Sequence, residues 1–450
     1  MAVQNQLVLQ MPPNNDLERI YNTLDETQWW PFEQIEALQR RELTRLINHA
    51  RRTSVFYKDR LNILFRPNGT IDWDRWTDIP IVSRADLSEK RHEIQSKELV
   101  QSHRPFSLVK SSGSTGDPVE FLMTRFSNDL SVAALWRGQK WAGMDWSKNI
   151  VTVRVDSKNL QVGDVLGPWG PYWMKDALKG KAIFSSYRTT AKTRADMIRA
   201  NSAAYVTTSA GLSAALVDHL RTSGERLELH KVRFVGGTAN SLLRQEFKKL
   251  ANADVLELYS SKEVGPMACP CPLGYGWHQN AEIVLLEIVD LVGKPVAPGE
   301  MGRVIVTPFG STATPLIRYD QGDYAVAGPN ELCPCGRHLP RIASISGRVR
   351  HSMFKPNSQL IGNLPIEARV ALSAGTWQIA KVGEHSYEVR YKHRDWGVAQ
   401  DLNAFQKYFH ETFYPEAILY LKEVDDFVYG PTGKHQEVVD EWDPASQIGG

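Results

Sequence analysis

The chain predicts an α/β fold, with a large N-terminal domain of mixed or parallel sheets flanked by helices and a small separate C-terminal α+β domain. Three observations predict it. A long amphipathic helix stands near the start, short β-rich runs alternate with helical ones from about residue 104 to 346, and the texture changes again after Gly347. With 450 residues, 42% of them hydrophobic, there is material for at least one large core, which excludes a small disulfide-stapled or metal-only module.

In FEQIEALQRRELTRLINHARRT the apolar residues Ile35, Leu38, Leu43, Leu46 and Ile47 recur at three- and four-residue steps, the pattern of a helix that buries one face. NIVTVRV, AAYVTTS, KVRFVGG, ADVLELY and GRVIVTP read as strands. SLLRQEFKKLAN reads as a helix between two of them, which implies that part of the sheet is parallel. Beyond Gly347 come a turn at Lys355-Pro356-Asn357-Ser358, an alternating strand in SYEVRYKH and an amphipathic helix in DLNAFQKYFHETF. The expected division is 1–348 and 349–450, with no internal repeat.

Fifty-three Lys and Arg against fifty-one Asp and Glu leave a formal charge of +2, so no global field points to nucleic acid or a membrane. A charged ligand must be held by local groups. The start, MAVQNQLVLQMPPNN, has no basic region followed by an apolar one, and no run approaches the length of a membrane span, so a cytoplasmic protein is expected. The four cysteines form two Cys-Pro-Cys triplets, Cys269/Cys271 and Cys333/Cys335, a usage too sparse for an oxidised framework.

Several strings can carry chemistry. Ser111-Ser112-Gly113-Ser114-Thr115-Gly116-Asp117-Pro118 follows an apolar run; its small residues, hydroxyls and amides could surround phosphate oxygens, or form a flexible turn. It lacks the Lys of a Walker loop. Tyr259-Ser260-Ser261-Lys262-Glu263 follows a strand, and there a carboxylate could hold Mg²⁺, an aromatic could stack on a base and Lys262 could neutralise phosphate, or the Lys-Glu pair could be solvated. Asp323 and Arg348 could reach a ribose, or be a turn carboxylate and a surface cation. Lys434, in the loop Gly430-Pro431-Thr432-Gly433-Lys434, could carry a mobile charge into a site or simply face solvent. Cys271, His278, Cys333 and Cys335 would make a closed tetrahedral set for Zn²⁺, with Cys269 and His338 as spare donors; reduced, unliganded cysteines are the alternative.

Taken in order, SSGSTGDP, GGTANSLL, YSSKEVG, TPLIRYDQGD, CPCGRHLPRI, ISGRV and PTGK resemble the adenylate-forming (acyl-CoA synthetase-like) superfamily, in particular its phenylacetate-CoA ligase and capsule-polysaccharide-type branch. The resemblance covers residues from about 105 to 435, and VFYKDRL and IPIVSRADL look like that branch's N-terminal region. It implies attack of a carboxylate on the α-phosphate of Mg-ATP to give an acyl adenylate, and displacement of AMP by a nucleophile, usually coenzyme A. Carried over, Ser111, Ser112, Gly113, Ser114, Thr115 and Gly116 would wrap the terminal phosphates, Gly237 and Tyr259 would flank the adenine, and Thr238 would lie by the nucleotide. Ser260 and Lys262 would lie by the nucleotide, Glu263 would bind Mg²⁺, Asp323 the ribose, and Arg348 the ribose or phosphate. Lys434 would be the catalytic lysine of adenylation, delivered by a small C-terminal domain that the resemblance implies is mobile, and Cys271, His278, Cys333 and Cys335 would form a structural zinc site.

The chain departs from the pattern at Asp117, where Lys is common, at Lys262, where Thr or Ser is frequent, and at Arg350-His351, which replaces an acidic hinge pair. The resulting expectation is an ATP-dependent acid-CoA ligase for an aryl or otherwise bulky acid, active as a monomer or homodimer. Two alternatives stand beside it: an adenylating enzyme whose acceptor is an amine, another small nucleophile or a carrier protein, and a non-catalytic nucleotide-binding relative. Pocket residues are expected between about 130 and 240, where Trp136, Trp141 and Tyr205 could equally be core.

Overall fold

The computed structural model describes residues 16–110, 119–154, 159–235, 239 and 241–348, and beyond these 353–354, 360–361, 377–391, 406–407, 409–410, 415–424, 428 and 438–442. The N-terminal region is helical: α1 (Asp16–Thr27), α2 (Phe32–Thr53) and three short helices, α3 (Val55–Lys58), α4 (Arg84–Glu89) and α5 (Arg91–Ile94). Helix α2 coincides with the periodic segment and buries Ile35, Leu38, Leu43, Leu46 and Ile47, as the spacing requires. A hairpin of β1 (Phe106–Lys110) and β2 (Glu120–Thr124) leads into α6 (Arg125–Trp141), whose start is capped by the Thr124 hydroxyl accepting from the Ser127 amide.

Six strands form the first large sheet, in the order β4-β5-β3-β6-β7-β8: β3 (Ile150–Arg154), β4 (Val165–Pro168), β5 (Lys181–Ser186), β6 (Tyr205–Thr208), β7 (Lys231–Phe234) and β8 (Asp254–Glu257). All are parallel to their neighbours except β4. Helices α7 (Ala191–Ala200), α8 (Ala210–Ser223) and α9 (Ser241–Ala251) connect them and pack on the face that carries Val151, Ile183, Val206 and Val232. Helices supply the crossovers β5–β6, β6–β7 and β7–β8, whereas β3 reaches β5 through β4, and the shared covering of helices makes this face continuously apolar. Its opposite face carries Ile150, Ala182 and Tyr205 in one row toward the amino-terminal edge, with Leu256 one row further along beside Arg233, and Met144 and Trp169 pack against them.

The second large sheet has seven strands in the order β12-β13-β14-β15-β11-β10-β9, every pair antiparallel. They are β9 (Tyr259–Ser261), β10 (Gly265–Pro270), β11 (Trp277–Gln279), β12 (Val284–Val289), β13 (Met301–Pro308), β14 (Tyr319–Ala327) and β15 (Arg341–Arg348). The strand read in GRVIVTP is therefore β13 of this antiparallel sheet and not part of the parallel one. Tyr259, on the edge strand β9, donates its hydroxyl to Asp323 of β14 at 2.7 Å, although three strands intervene. Flat strands about 4.8 Å apart could not allow this, so the sheet curls strongly upon itself.

Short β16 (Met353–Phe354) pairs with β17 (Leu360–Ile361), and a last sheet has the order β20-β19-β18-β21. Its strands are β18 (Trp377–Lys381), β19 (Ser386–Tyr391), β20 (Ile418–Glu423) and β21 (Val438–Asp440), with β19 falling in the alternating segment SYEVRYKH. Of the helix expected in DLNAFQKYFHETF, residues 406–407 and 409–410 are described, and they are helical. No helix among the described residues is long and apolar enough to cross a membrane.

Candidate nucleotide and acid site

Strand β8 ends the parallel sheet, and two residues later the chain enters the antiparallel sheet at Tyr259, so this motif sits where the two sheets meet. Residues 262–264 form the turn between β9 and β10, and Gly265 closes it with φ +85°, in contact with α6, where a Cβ would collide with Ser131 Oγ. Glu263 in this turn is 9% exposed, and its Oε1 stands 3.3 Å from Arg84 Nη1. Lys262 points the other way and donates to the carbonyl of Lys110 at 3.2 Å, the last residue of β1 before the Ser/Gly segment.

Asp323 is buried, and its backbone stands in register with Arg348 across β14 and β15. Tyr259, Asp323 and the Arg348 backbone thus lie together, with Glu263 four residues on from Tyr259. Ser260 is an exposed position of β9, paired in register with Pro266. Ser111, Ser112, Gly113, Ser114, Thr115, Gly116, Gly237, Thr238 and Lys434 lie outside the described residues, as do Asp117, Arg350 and His351.

Arg84 was not among the residues singled out by sequence. Ser83 caps α4 in a reciprocal box with Asp86, the hydroxyl accepting from the Asp86 amide at 3.0 Å and the Asp86 carboxylate accepting from the Ser83 amide at 3.0 Å. Val82 bridges to β14, donating to Arg318 O and accepting from Asp320 N, both at 2.9 Å. Cap and bridge together place Arg84 against Glu263, and the Ser-x-x-Asp spacing was the legible part of that signal.

Trp136, Trp141 and Tyr205 are packing residues. Trp136 meets Trp173 edge-on at 5.3 Å, Trp141 stacks beside the guanidinium of Arg137 at 5.0 Å, and Tyr205 is buried with its hydroxyl accepting from the Asp145 amide at 2.8 Å.

The cysteine cluster lies at the far end of the β10–β11 hairpin. Two tight turns present the thiols: Gly274 N donates to Cys271 O at 3.0 Å and Gly336 N to Cys333 O at 2.8 Å. The ligand atoms of Cys271, His278, Cys333 and Cys335 all lie within 4.8 Å of one another. Cys271 Sγ is 3.7 Å from Cys333 Sγ and Cys335 Sγ is 3.2 Å from His278 Nε2, near the edges of about 3.5–3.8 Å of a tetrahedron with zinc–ligand distances of about 2.0–2.3 Å. The other imidazole nitrogen, Nδ1, faces the Leu339 carbonyl at 3.4 Å, which leaves Nε2 for a metal. Burial holds His278 neutral by lowering its pKa to about 4, as a ligand must be. The donor set therefore fits zinc and fills every tetrahedral position. Cys269 stands apart, fully buried beside Asn280 with its thiol pushed up to about 11 by burial, and His338 bonds to the Trp30 carbonyl at 2.9 Å.

This arrangement of one parallel sheet beside a curled antiparallel sheet is a fold that solved acyl-CoA ligase structures share. No family model matches the chain. Phenylacetate-coenzyme A ligase of Thermus thermophilus is 24% identical over 336 residues, 72% of each chain. The crystal structure of 2-hydroxyisobutyryl-CoA ligase in its postadenylation state superposes with a TM-score of 0.69 at 19% identity, covering 96% of this chain and 94% of that one. The anthranilate CoA ligase in complex with anthranoyl-AMP gives a TM-score of 0.54 at 15% identity, covering 76% and 68%.

Proposed function

We propose that the protein is an ATP-dependent, AMP-forming ligase that converts a carboxylic acid to its acyl adenylate and then to the coenzyme A thioester. The observation that carries this reading is the meeting, at the junction of the two sheets, of groups far apart in sequence: Tyr259 on Asp323, Arg348 beside it in register, and Glu263 on Arg84. The ligase names of the similar proteins point the same way.

In this reading a carboxylate oxygen of the acid attacks the α-phosphorus as the bond to pyrophosphate breaks; the thiol sulfur of coenzyme A then attacks the acyl carbon, AMP departs and the thiol proton passes to solvent. The Tyr259 hydroxyl fixes the Asp323 carboxylate for the ribose hydroxyls, while its ring and Gly237 flank the adenine and Thr238 lies by the nucleotide. Ser111–Gly116 wrap the terminal phosphates, with Ser260 beside the nucleotide, Lys262 adding charge at the loop's entrance and Arg348 on the ribose or phosphate. Glu263, steadied by Arg84, is the carboxylate suited to Mg²⁺, which neutralises phosphate charge when bound. Lys434, on its Gly/Pro loop in the small C-terminal domain of residues 349–450, stabilises the charge developing between carboxylate and α-phosphate. The acid is aryl or otherwise bulky.

The test is acid-dependent exchange of pyrophosphate into ATP over a panel of carboxylates. Lys434→Ala should lower exchange on the order of 10²-fold or more, the scale of one preorganised charge contact; unchanged exchange would refute the assigned role. Acyl adenylate that accumulates in the presence of coenzyme A, and is consumed only by an amine, would replace the thioester-forming step with amide formation. Cys271, His278, Cys333 and Cys335 are proposed to hold one structural zinc ion that ties the segment after Glu263 to the segment after Asp323. One equivalent of zinc should survive gel filtration, and Cys335→Ser should release it and lower the melting temperature. Intact protein free of metal in reducing, chelator-free buffer would overturn this.

A further inference from the structure

Among the described residues, a pair of arginines on the parallel sheet has no counter-charge. Thr152, Thr207 and Arg233 occupy one row across β3, β6 and β7, and Arg154 is two residues further along β3, beside Ser186 of β5. Alternation puts all five side chains on the face opposite α7, α8 and α9. Arg154 and Arg233 are separated by one intervening strand, a lateral distance of about 10 Å, so their guanidinium groups can converge on one ligand.

Neither arginine has a hydrogen bond or ion pair among the described residues, and Arg233 Nε is buried and unpartnered. The Thr207 hydroxyl beside it is likewise buried without a partner. Burial, and then the charge of Arg154, lower the pKa of Arg233 to about 10. Asp254 on the same face lies at the opposite, amino-terminal edge, already paired with Lys231 at 3.6 Å and Lys248 at 3.0 Å. Two cations held toward one another, one of them partly buried, are costly unless an anion joins them.

Their position says where that anion comes from. The chain leaves β3 toward β5 on one side, whereas it leaves β6 toward β7 on the other. In an open α/β sheet the crevice between two such carboxyl ends is where ligands bind. Arg154 ends β3, Arg233 is next to last in β7, and the same edge leads through β8 into Tyr259. A guanidinium clamp suits an anion that does not react, because bidentate hydrogen bonds withdraw the electron pairs a nucleophilic carboxylate must use.

We propose that Arg154 and Arg233 receive a second anionic group of the acid substrate, so that the enzyme activates one carboxyl of a molecule that carries another carboxylate, or an equivalent anion, at its far end. This rests on the adenylation reading and specifies its substrate class. The Thr207 hydroxyl donates to the same anion.

The experiment pairs acids that differ only in the second charge: hexanoate with adipate, benzoate with terephthalate, and phenylacetate with 4-carboxyphenylacetate. Each is measured by thermal shift of the full chain without ATP and by pyrophosphate exchange, in the wild type and in Arg154→Gln, Arg233→Met and Arg233→Lys. At least one dianion should raise the melting temperature and exceed its monoanion in kcat/KM by about 10–100-fold, the worth of a charged hydrogen-bonded contact. That ratio should fall toward one in Arg233→Met, fall less in Arg154→Gln, and be partly kept by Arg233→Lys. Arg154 is exposed at a strand end, so its variant tests the pair without a risk to folding. Equal exchange with both members of every pair overturns the proposal and leaves adenylation standing. Variants that raise the KM for ATP equally with every acid would assign the pair to nucleotide phosphate and overturn it too. A dianion-specific thermal shift, lost in Arg233→Met, with no exchange from any acid would uphold the anion site and overturn adenylation.

Discussion

The two large sheets differ in how fully they surround buried arginine with acceptors, although Arg137 and Arg318 also leave Nε unpartnered. Beside the antiparallel sheet, fully buried Arg137 donates to Leu24 O at 2.7 Å and Asn280 Oδ1 at 2.6 Å, and to both oxygens of Glu282 at 2.6 and 3.0 Å. Arg318, the residue before β14, likewise reaches the carbonyls of Thr77, Ile79 and Gly293 at 2.6–3.0 Å, with Glu287 3.4 Å away. On the parallel sheet, Arg233 has no such set, and Arg194 of α7, buried just as deeply as Arg137, spends one nitrogen on the carbonyls of Ser186 and Thr189 and leaves Nε and Nη1 unpartnered. A cation surrounded by acceptors is part of the scaffold. Arg233, held without them at the carboxyl edge of the sheet, is the one that the proposed anion would complete.

The sharpest way to break this contrast is at Arg137, which joins α1, α6 and the segment that enters β12. Arg137→Met strands the Glu282 carboxylate, 0% exposed, and should cost about 3–5 kcal/mol in denaturant unfolding. Because the loss comes from the abandoned charge, Arg137→Met with Glu282→Leu should recover most of it. A single variant as stable as wild type would place Arg137 in the same class as Arg233.

The scaffold around the antiparallel sheet also contains a buried histidine, and acid should find it. His103 is 3% exposed, stacked against Phe126 at 4.5 Å, with Nδ1 2.8 Å from the Thr312 hydroxyl. Burial, then the charges of Arg45 and His49, lower its pKa from 6.5 to about 4. Between those values the unfolded chain binds a proton that the native protein does not, so stability falls as pH falls from about 6.5 to about 4 and this group contributes no further loss below. The full loss is at most about 3 kcal/mol. His49, lowered by burial as well, acts in the same direction. Melting at pH 7 and pH 5 should show the decline, and His103→Gln should flatten it; an unaltered pH slope in that variant would remove His103 from the account.

Much of the fold was legible because its signals are local. Helix α2 follows from the stagger of Ile35, Leu38, Leu43, Leu46 and Ile47, and the parallel strands from short β-branched runs separated by helical ones. The clustering of Cys271, His278, Cys333 and Cys335 was legible for the same reason: each pair is delivered by a single turn or hairpin. Position separates the two cysteines of the first triplet, since Cys269 lies within β10 against Gly138 of α6 whereas Cys271 lies just past the strand end, among the clustered side chains. What local pattern does not contain is long-range register. Arg84 with Glu263 and Arg137 with Glu282 are separated by 179 and 145 residues, and no periodicity announces either pair. Arg233 was hidden differently: within KVRFVGG it reads as an ordinary strand residue, and only the register reveals that its neighbours across the sheet are Thr207 and Leu256.

The smallest effect is the most discriminating, because its sign is opposite to that at Arg137. In ligand-free protein Arg233 bears the cost of partial burial and of repulsion from Arg154, with no acceptor to offset either. Arg233→Met keeps the length of the side chain and removes the charge, so it should leave the unliganded protein unchanged or more stable by up to about 1 kcal/mol, solvent at the strand end screening the rest. A saturating dianion should reverse the order: ligand at 100 times its Kd stabilises the wild type by about 2.7 kcal/mol, and the variant that no longer binds gains nothing. The two melting curves should therefore cross as ligand is added. If Arg233→Met instead destabilises the unliganded protein by several kcal/mol, the arginine is structural after all, and the contrast between the two sheets fails.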